Sequence, residues 1–109
     1  MQVELQQLGE LLVPEIELVE QVCLQLEKDL ALKESLPRPA SLFLLYDALF
    51  PHLVSILDKP INHSSYSVSQ MLYAVDVSEK RSQGTEEELA EQILLRIFQK
   101  IFLRNRFSS

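Results

Sequence analysis

A chain of 109 residues suits one domain built around a single core. It is 47% hydrophobic and 24% charged, as water-soluble chains usually are, and its two glycines leave little material for hairpins or a glycine-rich phosphate loop. The net charge of −6 lies entirely in residues 1–36, where eight acids face only Lys28 and Lys33; residues 37–109 balance eight acids with eight bases. One cysteine, Cys23, excludes an internal disulfide and makes a reducing compartment the default. No basic-then-apolar leader and no apolar run of about 20 residues is visible. The expected location is therefore cytoplasmic, with no membrane partner.

Residues 2–35 read as helix. Leu5, Leu8, Leu12, Ile16, Val19, Cys23, Leu26 and Leu30 form one stripe at 100° per residue, widened by Leu11, Leu18 and Val22. Pro14 falls opposite the stripe, and the phase holds across it, which favours one long helix kinked at Pro14. The rival is a break at Val13, with Pro14 opening a second helix whose first turn holds Glu15 and Glu17. A continuous helix would be about 50 Å long. Two prolines in residues 36–41 then make an extended stop. The next helix spans about 40–57; its apolar residues cover nearly half the wheel, and Pro51 lies on the polar side.

Ser67-Val68-Ser69-Gln70 fits a capping box that opens a helix over about 68–80. Alternation of Tyr73, Val75 and Val77 with smaller or polar residues keeps a short strand open as an alternative. Thr85-Glu86-Glu87-Glu88 is a second box, starting a helix over about 86–104. Acids crowd its first turn and bases its last, as the helix dipole favours. So wide an apolar face belongs at the centre of a core or between subunits. The predicted architecture is all-α: about four helices of unequal length in one antiparallel, bundle-like domain over residues 1–109.

Chemistry is sparse. The polar stretch 62–73 contains His63 and several serines, but a serine nucleophile needs a placed base and an oxyanion hole, and no Gly-x-Ser-x-Gly elbow is present. The simpler reading makes Ser67 a helix cap and leaves its neighbours in water. Cys23, His52 and His63 do not repeat at zinc-site spacing, and no Glu-x-x-His pair occurs. No catalytic, metal-binding or cofactor-binding residue is assigned, and no cofactor is expected.

The expected function is non-enzymatic: a helical interaction or adaptor protein that self-associates, with a homodimer as the simplest assembly. Phe98, Phe102 and Phe107 are the expected anchors, rimmed by Arg104 and Arg106, because aromatics and arginine most often carry interface energy. One alternative is a small-molecule site or enzyme pocket near the 58–67 loop, using His52, His63, Tyr66 or Tyr73. Another is weak nucleic-acid binding through Arg96, Lys100, Arg104 and Arg106, disfavoured by so few cations beside a −6 segment.

Overall fold

The computed structural model describes residues 2–78 and 83–107. It is all-α among those residues, with five α-helices: α1 (Gln2–Gly9), α2 (Glu15–Asp29), α3 (Leu45–Asp58), α4 (Val68–Val75) and α5 (Glu86–Phe107). Short 3₁₀ turns at Leu42–Leu44 and Pro60–Asn62 precede and follow α3.

The expected continuous first helix is two helices. α1 ends in a tightened turn, where the Leu11 amide reaches back only to Leu8. Pro14 then takes an extended conformation, φ −55° and ψ 141°, and its carbonyl accepts the Glu17 and Leu18 amides that open α2. A proline at this boundary costs no helical hydrogen bond, because its missing N–H lies outside the helix. Glu15 and Glu17 sit in the first turn of α2, where the dipole favours them. Leu8, Val19, Cys23, Leu26 and Leu30 of the expected stripe are buried; Leu12 and Ile16, on either side of Pro14, are exposed.

Two helices end with a residue in the left-handed region, and neither is glycine. Beyond α2, Ala31 has φ 49°; its amide bonds to the Lys28 carbonyl and that of Leu32 to Glu27. Beyond α4, Asp76 has φ 71°, its amide bonds to Tyr73 and that of Val77 to Leu72. Both are Schellman closures, usually made with glycine. The second corrects the expected extent of α4. The helix stops at Val75, and Val77 and Ser78 are already non-helical. Residues 79 and 80 of the expected helix lie outside the described residues.

Elsewhere local signals set the elements. Ser67 Oγ accepts the Gln70 amide at 3.2 Å, and Gln70 Oε1 accepts the Ser67 amide at 2.8 Å, so the box forms as expected. Thr85 Oγ accepts the Glu88 amide at 3.2 Å at the start of α5, which runs three residues past the expected Arg104. α3 carries Pro51 on its exposed side without ending.

α5 is the centre of the fold. It packs against α1, α2, α3 and α4, and buries Leu89, Ala90, Ile93, Leu94, Ile97, Phe98 and Ile101. Its wide apolar face is the axis of one contiguous core. Asp29 meets Lys100, Gln25 meets Arg104 and Gln21 meets Asn105, so α2 and α5 run in opposite directions along their seam.

Candidate interaction surface

The five residues expected to bind a partner divide between core and surface. Phe98 is fully buried and offers a partner nothing. Phe102 is half-buried against the core. Phe107 is 75% exposed on the last turn of α5, and Leu103, one turn earlier, is also exposed. The Arg106 guanidinium lies 5.8 Å from the Phe102 ring centre and 5.5 Å from that of Phe107, both within cation–π range. Arg104 donates to Gln25 Oε1. The other cations of this helix have acids: Lys100 Nζ is 3.2 Å from Asp29, and Arg96 is 3.2 Å from Asp76.

A larger apolar surface lies at the elbow between α1 and α2. Ile16 is 77% exposed and Phe43, in the first 3₁₀ turn, 82% exposed; Leu12 is fully exposed and Leu44 about half. Sequence periodicity assigned Leu12 and Ile16 to the core and did not single out Phe43. The available signal was the pairing of Pro14 with a proline-bounded link, two places where a helix stripe can be interrupted.

The elbow is shaped as well as apolar. The Glu15 carboxylate accepts the Leu42 amide at 3.1 Å and ties α2 to the 3₁₀ turn. On one side of this tie is a hollow of about 590 Å³ lined by Ile16, Glu17, Val19, Glu20, Arg38, Pro39 and Ala40. On the other is one of about 410 Å³ lined by Leu5, Gly9, Glu10, Leu42 and Phe43. Acids rim both.

In the wall of the first hollow, the link is strapped to α2. Arg38 bonds to both Glu20 and Glu27, and Glu27 also accepts the Leu36 amide at 2.7 Å. Cys23 Sγ lies between them, 3.4 Å from the Pro37 carbonyl oxygen to which it donates. Residues 20, 23 and 27 share one helix face by their spacing. Burial works to raise the Glu27 carboxyl; the Arg38 hydrogen bond, the Leu36 amide and the Arg38 charge outweigh it and hold the group below its ordinary value. Burial dominates at Cys23 and pushes the thiol up to about 11, leaving it protonated and a poor nucleophile at neutral pH.

The residues of the small-molecule alternative fall on two different hollows. His52 and His63 line one of about 70 Å³, beside Leu36, Ser55 and Ile56. That volume holds a few waters and falls well short of the roughly 300–1,000 Å³ of typical ligand pockets. Tyr66 and Tyr73 line a separate open hollow of about 490 Å³ with Ser69, Gln70 and Ala74, away from both histidines. The serine that matters in this stretch is Ser64, the one buried polar side chain among the described residues. Its hydroxyl donates to the Leu30 carbonyl and accepts the Tyr66 amide at 2.8 Å. It pins the loop to the end of α2, where Leu32 and Ser64 also form an isolated antiparallel bridge. No group of three metal-ligating side chains converges among the described residues. No helix there is long and apolar enough to cross a membrane. The chain matches no protein-family model, no curated protein and no solved structure in comparisons with all three.

Proposed function

We propose that this chain is a non-enzymatic helical interaction protein that binds another protein chain at the α1–α2 elbow. One observation carries the reading: Ile16 and Phe43 stand exposed beside two adjoining hollows, while the apolar residues of α5 from Leu89 to Ile101 that face the core are buried. Grooves that accept an apolar anchor inside a polar rim are how interfaces concentrate their energy. The exposed end of α5, with Leu103, Arg104, Arg106 and Phe107, is the second contact surface in this reading. Phe102 supports it from beneath, and Phe98 belongs to the core. The proposal includes a single domain, supported by the contiguous core, a cytoplasmic location, supported by the lone cysteine, and self-association.

The test is photo-crosslinking in the native host, with benzoylphenylalanine replacing Phe43 in one full-length variant and Asn62, exposed on the 58–67 loop, in another. A discrete protein adduct from position 43 and none from position 62 supports the elbow. Adducts from both positions alike, or from neither, overturn it.

A further inference from the structure

We infer that the elbow of one copy receives the C-terminal turn of α5 from a second copy. The inference rests on the interaction reading above and names the partner. The two surfaces are complementary in charge and alike in apolar character. At the elbow, Glu10 and Glu17 line the two hollows; the one cation in their lining, Arg38, is already paired with Glu20 and Glu27, and among the described residues neither Glu10 nor Glu17 has a cation within ion-pair distance. At the other surface, Arg106 faces only two rings, and Arg104 bonds to a neutral glutamine. Glu10 and Glu17 without an ion pair, and Arg104 and Arg106 without an acid, each sit beside exposed large apolar side chains: Ile16 and Phe43 with the acids, Leu103 and Phe107 with the bases.

Among the described residues no ion pair joins Arg104 or Arg106 to Glu10 or Glu17 of the same chain. Asn105 is bonded to Gln21 on α2 at 2.8 Å, and the helix continues without a turn to Phe107, so the last turn is fixed along the flank of α2. A tail arriving from a second copy supplies cations to these acids. Seated in the hollow beside Ile16, Phe107 would bury its ring while Arg104 and Arg106 reach the acidic rim. Such a contact is small by the standard of permanent interfaces, so it is concentration-dependent, and exposed charge pairs make it salt-sensitive.

The experiment is light scattering on the purified full chain over a range of concentration and salt, with Ile16→Glu as the elbow variant and Phe107→Glu as the tail variant. Both positions are exposed, and circular dichroism checks that each variant keeps its helicity. The wild type is expected to rise above the one-chain mass with concentration and to fall back at high salt. Each variant alone stays at the one-chain mass. Mixed in equal amounts, the two form a complex of one copy each, because the elbow variant supplies an intact tail and the tail variant an intact elbow. A wild type that stays at the one-chain mass at high micromolar concentration overturns the inference. So does an assembly that survives both substitutions, or a mixture that stays monomeric. A one-chain mass together with a Phe43 crosslink to a protein of another size would overturn the self-contact and leave the elbow's function standing.

Discussion

Pro14 and Pro51 both lie on the solvent side of an in-phase apolar stripe, yet the chain breaks at the first and runs on through the second. In α3, Leu45 and Leu49 before Pro51 and Leu53, Ile56 and Leu57 after it are all buried, and the helix as a whole packs on α5. One neighbour lies under the full length, so straightness is rewarded, and the lost hydrogen bond falls on an exposed face where water reaches the Asp47 carbonyl. Around Pro14 the two halves share α5 and the first 3₁₀ turn, and α2 also packs on α4. A rod over residues 2–35 would be about 50 Å long, against a longest molecular dimension of 37 Å. The chain folds back, burying Leu8 and leaving Leu12 and Ile16 outside. Stripe phase reports which residues can share a face. Whether they do depends on having core beneath the whole of it.

The contrast can be broken most forcefully at Leu8 and Leu12, four residues apart on one stripe. Leu8→Ala should lower stability by about 2–5 kcal/mol, as a fully buried leucine does. Leu12→Ala should stay within about 0.5 kcal/mol. Equal losses in urea denaturation would restore the continuous helix. At the prolines, Pro51→Ala should raise stability by about 1–3 kcal/mol, since it returns a donor to a helix interior. Pro14→Ala should cost less than about 1 kcal/mol, through the unfolded chain alone, with no gain in helicity by circular dichroism.

The strap that positions the link sharpens the comparison further. The Glu27 carboxyl is depressed in the folded state, so its contribution is present above the unfolded value, about 4.3, and is lost as pH falls through the folded one. Glu27→Gln should cost about 1 kcal/mol at neutral pH and flatten the acid limb of the stability curve. Arg38→Ala should flatten it in the same way, and an unchanged acid limb in both variants would remove the strap from the account. The smallest effect belongs to Ala31→Gly, which relieves a left-handed alanine at φ 49° but loosens the unfolded chain. The net expectation is a gain of about 0.5 kcal/mol, and a loss in thermal unfolding would mean that the closure of α2 is not strained.

What was legible in the sequence was local. The Ser67–Gln70 box needs only four residues, the stop at 36–41 only its prolines, and the dipole pattern of α5 only its two ends. The width of the α5 face implied either a core axis or a subunit interface, and contact with all four other helices makes it the axis. Three features were not settled by pattern: one was left as a rival reading, one uses an unusual residue, and one joins distant parts of the chain. The break at Pro14 is set by the size of the core. The end of α4 uses a left-handed Asp76 where pattern reading looks for glycine. The strap joins Arg38 to Glu20 and Glu27 across a turn of chain. Spacing alone puts Glu20 and Glu27 on one helix face, but it does not show that the link crosses it. The candidate surface was half legible: Phe107 and its arginines stand out by type, whereas Ile16 and Phe43 matter because of where the fold leaves them.

The central place of α5 also governs how the chain comes into being. Synthesis delivers α1, α2, α3 and α4 before the helix that each of them packs against. At roughly 5–20 residues per second, residues 86–107 follow α4 within seconds, and until then four amphipathic segments share an incomplete core. The contacts that complete it span up to the length of the chain, so loop closure must be met before burial rewards it. Interrupting translation between Ser78 and Leu94 would therefore leave a product with every other helix made and no axis to gather them, a natural client for chaperones and proteases.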